Sequence, residues 1–511
     1  MAMLLGPLAA LHGEEGEKLI KVTISGVTDE VKDNILALKP SFIPDCSATP
    51  EEVEKFKDAA DPKIDSPYAR GETFRHDKYE AFKGKLDAYA SRMGYLDASF
   101  TTHEILVDPA AGVADVHIVL ETGSRYRFGK VTVDQSVLSP DYFEKYIQIR
   151  EGDDFSTDVL VQQQQLIQDR GYYGNVRVRA LYRQAKNRQV PVEITAGPNK
   201  RALYRGRIGY GTDTGFRMGF DYERRWLDRK GSQLRATINY SETEVYTNLS
   251  YIVPAKKRLN EYMRYYISGT REYGEDVDSK TFEVGAEYHR IRSSGWEQIL
   301  LVKYLNDVTQ TEGEPELETQ FMIAGVRMQK SVADNPIFTR KGWHLRADLQ
   351  GAYEGFISST NFLQTTLYAK LIRPAGEKGR LIGRSEIGAT MIDDVSLLPK
   401  SLRYFAGGDN SVRGYDYESL GETNAEGAVI GGKHVLVASL EYEYLFKDPW
   451  GAALFVDVGN AFNDWSDMGL KTGVGFGARW KSPIGPVRVD IAWPTDDFGD
   501  PHLHLSIGPD F

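Results

Sequence analysis

The chain has 511 residues, a net charge of −11 at pH 7 and a single cysteine, Cys46. The acidic balance argues against a general nucleic-acid-binding protein, because such domains are usually basic. One cysteine excludes an intramolecular disulfide. No stretch reaches the roughly 18 apolar residues that a membrane-spanning helix requires, but this leaves open a membrane barrel, whose strands do not stand out by hydropathy.

Residues 1–18 contain the apolar run Met3–Leu11, which resembles the core of a secretory signal. The Lys/Arg-bearing segment that normally precedes such a core is missing. We interpret residues 1–18 as a truncated signal or an unstructured segment, with a frayed terminus or a truncated gene model as the alternative.

Strand and helix patterns alternate from Leu19 to Asn199. The first pass predicts a strand at Leu19–Val27, a helix at Asp29–Leu38, a helix at Lys78–Arg92, and strands at Tyr95–Val107 and Val113–Glu121. The second pass predicts a strand at Arg127–Val133, helices at Pro140–Ile147 and Asp158–Arg170, and strands at Asn175–Tyr182 and Val190–Thr195. The order of elements recurs, which is typical of a modular array. We therefore predict two β-α-α-β-β domains, at 19–124 and 125–199, with an insertion or a fused remnant near 41–72.

Helical periodicity ends near Arg201, and residues 200–511 show about sixteen strand-like runs of roughly ten residues. Apolar and aromatic residues alternate with polar ones, as Leu234, Ala236 and Ile238 do with Arg235 and Thr237. A water-soluble all-β domain has the same alternation. The length of the runs, their even number and the 29 tyrosines favour a membrane-spanning 16-stranded antiparallel β-barrel in this region.

The longest gap between predicted barrel strands lies between about Thr390 and Lys433, and long gaps of this kind are usually functional or disordered. Its aromatic residues argue against disorder. By alternation, Asp457 points into the lumen of the predicted barrel, and so do Glu441 and Glu443. The inward positions of the strand Thr472–Trp480 are Gly473, Gly475, Gly477 and Arg479. We predict that the three glycines form a groove for another backbone and that Arg413 of the gap segment pairs with Asp457, with the two glutamates as competing acceptors.

Three motifs now point to a family. They are Val412-Arg413-Gly414-Tyr415 in the loop, Phe455-Val-Asp457-Val-Gly459 in one strand, and Gly477-Ala-Arg479-Trp480 followed by Ser482-Pro-Ile-Gly-Pro486-Val-Arg-Val-Asp490. In type and order they resemble the V-R-G-F/Y and F-x-D-x-G motifs of the BamA/TamA superfamily of outer-membrane assembly barrels. The resemblance implies a loop lock formed by Arg413, Gly414, Tyr415, Asp457 and Arg479. It also implies a C-terminal insertion signal formed by Leu503, Leu505, Ile507 and Phe511.

Within this superfamily the chain most resembles the TamA branch, the outer-membrane subunits of the translocation and assembly module. The stretches Gly123–Gly129 and Phe405–Asp409 carry that resemblance. TamA proteins are expected to have three periplasmic POTRA domains before a sixteen-stranded barrel. Only two such domains are predicted here, which puts in doubt any docking assigned to the first.

The resemblance implies a non-enzymatic insertase or translocase of the bacterial outer membrane that assists autotransporter-like proteins. Its implied partners are outer-membrane lipid, unfolded outer-membrane protein clients and an inner-membrane-anchored protein of the TamB type. The implied mechanism is lateral opening at a seam between the first and last barrel strands. The seam positions are Ala202, Gly211, Pro501, Gly508 and Pro509. Proline cannot donate a ladder hydrogen bond, and glycine weakens strand pairing.

Two other functions remain open. A two-partner secretion transporter for one dedicated passenger would share the loop and the POTRA domains, and a passive porin or receptor would not need the POTRA domains. Sites for metals and cofactors find little support in the sequence. His502 and His504 lie on one strand face without a third ligand nearby, and no helix follows the glycine-rich stretch Gly206–Gly215 to bind phosphate. We therefore predict no cofactor, no metal and no catalytic residue.

Overall fold

The computed structural model describes residues 19–25, 64–70, 76–108, 113–274, 276–335, 337–482 and 485–510. They fall into two compact units, one up to Asn199 and one from Lys200 onwards, with Val137–Lys145 grouped with the second. The predicted helix at Asp29–Leu38 and the signal-like segment in residues 1–18 lie outside the described residues. Among the helices in the described ranges, none is both long and apolar enough to cross a membrane.

The first sheet contains the strands of the first predicted domain. The elements are β1 (Leu19–Ser25), β2 (Ile64–Arg70), α1 (His76–Arg92), β3 (Ser99–Asp108) and β4 (Val113–Glu121). The strand order is β2-β1-β4-β3, with β1 parallel to β4. Helix α1 buries one face, as its period predicts, and packs Tyr79, Phe82 and Leu86 near Val116 and Ile118 of β4. Strand β2 was not predicted; it lies in the 41–72 segment and pairs antiparallel with β1.

The second sheet repeats this topology. The elements are β5 (Arg127–Gln135), α2 (Pro140–Phe143), α3 (Thr157–Gln168), β6 (Tyr173–Ala180) and β7 (Gln189–Pro198). The order is β5-β7-β6, with β5 parallel to β7 and β6 antiparallel to it. Helix α3 begins after Ser156, whose side chain accepts a hydrogen bond from the backbone N–H of Asp158. The strand order β1-β4-β3 therefore recurs as β5-β7-β6, as the internal repeat predicts.

The second unit contains one antiparallel sheet of sixteen described strands. In chain order they are β8 (Ala202–Gly211), β9 (Gly215–Arg224), β10 (Gln233–Tyr240), β11 (Glu244–Pro254), β12 (Glu261–Glu272), β13 (Val277–Ile291), β14 (Glu297–Thr311), β15 (Leu317–Ala333), β16 (Gly342–Ala352), β17 (Phe362–Ala375), β18 (Gly379–Met391), β19 (His434–Lys447), β20 (Trp450–Phe462), β21 (Lys471–Ser482), β22 (Gly485–Pro494) and β23 (His502–Ile507). Each strand pairs with the next along the chain. The predicted POTRA repeats followed by a sixteen-stranded antiparallel barrel are confirmed.

The two faces of the barrel wall differ in composition. Along β20, Leu454 is 64% exposed and Val456 is also exposed, whereas Phe455 and Asp457 are buried. Large apolar side chains cover the outer face, and charged side chains gather on the inner face. Alternation along each strand therefore fixes which residues reach the lumen.

This facing is testable on the last strand. A nitroxide on Leu503→Cys should be accessible to lipid-soluble oxygen, and one on Ser506→Cys should be accessible to a water-soluble nickel chelate. Side chains alternate with a period of two, so a slip of one residue in β23 would reverse both accessibilities. Power-saturation electron paramagnetic resonance in lipid nanodiscs measures both quantities.

Candidate functional site

Residues 392–433, here called the plug loop, connect β18 to β19. The loop begins with two 3-10 turns, Val395–Leu397 and Lys400–Leu402. At this end Val395, Leu398 and Leu402 pack in one apolar cluster with barrel residues. The barrel members of that cluster are Leu305, Phe321, Ile323 and Phe362. Apolar burial therefore fixes the start of the loop to the wall.

The middle of the plug loop folds back on itself. Backbone bridges join Tyr404 to Gly432 and Ala406 to Leu420. Val412 is fully buried, in a cluster that also contains Ala406, Leu420, Val435 and Val437. Two residues of this cluster belong to β19, so the loop lies against the inner face of the barrel wall and carries Arg413 with it.

Arg413 is held inside the barrel by three carboxylates. Its Nε donates to Asp457 Oδ2 at 2.7 Å, its Nη2 to Asp457 Oδ1 at 3.0 Å, and its backbone N–H also donates to Asp457 Oδ2 at 3.1 Å. Its Nη1 donates to Glu441 Oε2 at 2.7 Å and to Asp490 Oδ2 at 3.1 Å. The guanidinium carbon lies 3.4 Å from the centre of the Phe455 ring. Arg413 is 5% exposed and Asp457 is 0% exposed, so the pair is withdrawn from bulk water.

A second buried arginine shares two of these carboxylates, Glu441 and Asp490. Arg479 donates from Nη2 to Glu441 Oε1 at 2.6 Å, from Nε to Glu443 Oε1 at 2.9 Å, and from Nη1 to Asp490 Oδ1. We call these residues the lumenal ion cluster: Arg413, Arg479, Glu441, Glu443, Asp457 and Asp490. The sequence predicted that both glutamates compete with Asp457 for Arg413; in the structure Glu441 accepts from Arg413 alongside Asp457, and Glu443 accepts from Arg479.

The cluster continues towards the end of the chain. Arg380 Nε donates to Glu443 Oε2 at 2.5 Å, and its Nη1 donates to Asp510 Oδ2 at 2.5 Å. Asp510 also accepts from Arg488 Nη2 at 2.6 Å and from the backbone N–H of Thr339 at 2.8 Å. These contacts hold Asp510, three residues beyond β23, inside the lumen, where it is 3% exposed.

The three inward glycines of β21 clear space for different groups. A Cβ on Gly473 would overlap the carbonyl oxygen of Arg413, so the plug loop's backbone approaches the wall at this position. A Cβ on Gly475 would overlap the ring of Phe455, and one on Gly477 would overlap the carboxylate of Asp490. The predicted groove for a backbone therefore holds only at Gly473; the other two glycines make room for side chains that contact Arg413.

The residues beside Arg413 fix the loop to the last two strands. Gly414 has φ +95° and lies against the backbone of Trp493 and Pro494, where a Cβ would meet Trp493 C at 2.9 Å. Its N–H donates to His504 Nε2 at 3.0 Å. Tyr415 Oη donates to Asp496 Oδ1 at 2.7 Å. Only glycine adopts this backbone at such close range without strain.

The predicted seam residues lie at the ends of the first and last barrel strands. Ala202 and Gly211 are the first and last residues of β8. Pro501 precedes β23, and Gly508 and Pro509 follow it, so both prolines flank the strand. Strand β23 has 6 residues and β8 has 10. Among the described residues these two strands share no ladder of backbone hydrogen bonds, although every other neighbouring pair of barrel strands does.

The predicted C-terminal insertion signal lies on the same strand. Leu503 is 58% exposed, Ile507 is exposed and Leu505 is partly exposed, all on the outer face. Phe511 lies outside the described residues.

Sequence reasoning missed several residues of the site. Asp490, Arg380, Arg488 and Asp510 were not assigned, although each is an inward-facing charge near the glycine-rich strand or the chain end. The alternation of side chains along β18 and β22 places charged residues at inward positions, and this pattern could have identified them as candidates. No local pattern shows which of these charges meet.

The Arg413–Asp457 contact predicts non-additive losses. Arg413→Ala and Asp457→Ala should each destabilise the docked loop by about 3–5 kcal/mol, because each leaves a buried charge without its partner. The double variant should lose much less than the sum. Arg413→Lys should restore only part of the stability that Arg413→Ala removes, since lysine keeps the charge but lacks the planar guanidinium that binds a carboxylate through two hydrogen bonds. Heat-modifiable electrophoretic mobility and limited proteolysis of the loop measure these losses.

Asp448→Ala provides the matched control, because Asp448 pairs with Lys481 at 4.0 Å on the exposed surface. That variant should cost less than about 1 kcal/mol. Strictly additive losses for Arg413 and Asp457 would show that the two residues do not meet.

Gly473→Ala should undock the plug loop while the barrel stays folded. The new methyl group would occupy the position of the Arg413 carbonyl oxygen. Gly383→Ala on β18 is the control, because a Cβ there meets nothing within 4 Å. Protease cleavage between residues 405 and 421 should rise for Gly473→Ala and stay at the wild-type level for Gly383→Ala. Equal cleavage of the two variants would contradict the close approach.

Comparisons with known proteins agree with this architecture. Residues 197–511 match the Omp85 superfamily domain, and residues 126–197 match the POTRA model, described as a surface antigen variable number repeat. The outer membrane protein assembly factor BamA of Nitratidesulfovibrio vulgaris is 24% identical over 465 residues, which cover 86% of this chain and 58% of that relative. The chloroplastic outer envelope protein 80 of Arabidopsis thaliana is 31% identical over 116 residues, 20% of this chain and 14% of that protein.

A solved structure shows the same fold. The crystal structure of BamA from Haemophilus ducreyi lacking POTRA domains 1–3 superposes with a TM-score of 0.71 at 16% identity, covering 86% of this chain and 94% of that one. The predicted BamA/TamA superfamily resemblance is thereby confirmed at the level of the superfamily, since the Omp85 model alone spans more than half of the 511 residues. The chain belongs to the Omp85 superfamily, with its barrel in the bacterial outer membrane and its POTRA region in the periplasm.

Proposed function

We propose that this protein assists the insertion or translocation of other outer-membrane proteins by opening its barrel laterally between β8 and β23. One observation carries the proposal: this is the single junction in the described sheet where neighbouring strands lack a ladder. Unpaired strand edges attract further strands, because their N–H and C=O groups have no partners. A client strand would add to such an edge by β-augmentation.

The plug loop supports an assembly role over that of a passive pore. Arg413 and its carboxylates hold the loop inside the lumen, in a cluster that spans β19, β20, β21 and β22. A loop fixed in this way obstructs diffusion through the barrel. A porin requires an open lumen for diffusion, whereas a barrel that opens laterally can function with its lumen filled.

The periplasmic unit offers further edges for unfolded clients. In the described three-stranded sheet, β5 and β6 are the edge strands. A groove beside β6 is lined by Leu160, Val161 and Gln164 of α3 and by Val178 of β6. An extended segment that pairs with β6 would place its side chains in this groove.

The assignment of this protein to the TamA branch of the superfamily rests on sequence resemblance. We propose a TamA-type role, in which the clients are autotransporter-like and a TamB-type protein binds the periplasmic region, from the stretches at Gly123–Gly129 and Phe405–Asp409. Co-purification with a TamB-type protein tests that partner. Secretion of one dedicated passenger, with no effect on other clients, would instead favour a two-partner secretion transporter.

Cross-linking the seam should stop client assembly. A Cβ on Gly211 would lie 3.6 Å from Leu505 O, and Gly211 and Ser506 are inward positions of β8 and β23, so Gly211→Cys with Ser506→Cys places two thiols on the same face of the junction. We expect the oxidised protein, with Cys46 replaced by Ser, to lose client insertion into proteoliposomes, and a reductant to restore it.

A cysteine pair at Ala347 and Leu367 is the control, because these residues already face each other in the β16–β17 ladder. A disulfide there should leave client assembly unchanged. Full activity of the oxidised seam variant would remove lateral opening from the mechanism.

A further inference from the structure

A chain of polar contacts crosses the seam at one end of β8. Leu505 N of β23 donates to Thr212 Oγ1 in the β8–β9 turn at 3.1 Å. The Thr212 hydroxyl in turn donates to Asp409 Oδ1 of the plug loop at 3.1 Å. Asp409 also donates its backbone N–H to Asp213 Oδ2 at 2.6 Å. One loop residue therefore contacts two residues of the first hairpin.

The same aspartate contacts the last strand. His504 Nδ1 lies 2.8 Å from Asp409 Oδ1, and His504 Nε2 accepts the backbone N–H of Gly414. Since Nε2 is an acceptor, the neutral ring carries its proton on Nδ1 and donates it to Asp409. The contacts thus form a continuous path from the β8–β9 turn through Asp409 and His504 to the residue beside Arg413.

We propose that Thr212, Asp213, Asp409 and His504 form a polar clasp that fastens the seam and couples its opening to the position of the plug loop. The clasp replaces, with side-chain contacts, the ladder that β8 and β23 lack. Asp409 belongs to the plug loop. Withdrawal of the loop therefore breaks the contacts of Asp409 with the first hairpin, at Thr212 and Asp213, and its contact with His504 of the last strand. The proposal rests on the lateral opening proposed above, and it adds the residues that control it.

The surroundings of the clasp disfavour the ionised form of Asp213. Burial and the neighbouring Asp409 carboxylate raise the pKa of Asp213 to about 6. Other titratable or charged groups surround the clasp in the two adjoining cavities. They are Tyr273, Asp276, Lys400, Asp416, Tyr417, Glu418 and His502 on one side, and Tyr368, Lys370, Arg384, Arg413, Glu441, Arg488 and Asp490 on the other. A pKa raised in the closed state means that proton uptake by Asp213 favours closure as the pH falls through about 6.

Distances across the seam test the clasp without any client. Spin labels on Ile208→Cys and Leu503→Cys, in the full chain with Cys46→Ser, report the separation of β8 and β23 in nanodiscs by double electron–electron resonance. Both positions are exposed on the outer face, at 82% and 58%, and lie outside the clasp. Thr212→Val and Asp409→Ala each remove two side-chain hydrogen bonds of the clasp, and each should raise the ratio of open to closed seams at least about fivefold, which is the effect of losing one.

Two variants control for general damage. Thr214→Val changes a threonine of the same turn that lies outside the clasp, so it should keep the wild-type distances. Asp409→Asn keeps an acceptor oxygen for Thr212 and His504 and should stay closer to wild type than Asp409→Ala does. Heat-modifiable mobility shows that each barrel is folded.

The Asp213→Asn variant isolates the protonation step. Its seam should be more closed than that of the wild type at pH 7.5 and nearly the same at pH 5, because Asp213 of the wild type is then largely protonated. Seam distances that are the same in wild type, Thr212→Val and Asp409→Ala would overturn the clasp. The seam disulfide assay would then decide separately whether lateral opening itself survives.

Discussion

A charged side chain buried inside the barrel sets the geometry of the rest of the site. Removing the Arg413 guanidinium from water costs several kcal/mol unless carboxylates accept its hydrogen bonds in good geometry. Asp457 binds it at both Nε and Nη2, and Glu441 and Asp490 share Nη1. This requirement explains why a wall of alternating residues carries acids at its inward positions, and why Gly473 leaves room for the loop's backbone.

The barrel combines a strongly paired wall with one weak junction. Fifteen consecutive strand pairs form ladders, and the longest strand, β15, has 17 residues. At the junction of β23 with β8 the ladder is replaced by contacts through Thr212 and Asp409. Ladders and side-chain contacts differ in how they break: a ladder resists separation along its whole length, whereas a few polar contacts can be lost in one step.

Much of the fold could be predicted from the sequence because period and alternation are local properties. Helix α1 and strand β4 lie close to where their patterns placed them, and the inward position of Asp457 follows from parity alone. Strand β2 escaped prediction because its segment lacks clear alternation and gains order by pairing with β1. The contacts of Asp510 with Arg380 and Arg488 depend on which distant strands become neighbours, and no local pattern contains that information.

The sequence separation of the contacts of Arg413 and Gly414 has a consequence for the order of folding. Asp457 follows Arg413 by 44 residues and Asp490 by 77, and His504 follows Gly414 by 90. Contacts between residues so far apart form late, because the entropy of closing the intervening chain must be lost first. The loop therefore finds its complete set of acceptors only after β19 to β23 are in place. A nascent barrel that stalls before its last hairpin leaves Arg413 without Asp490 and Gly414 without His504, and these missing contacts distinguish the unfinished wall from the completed one.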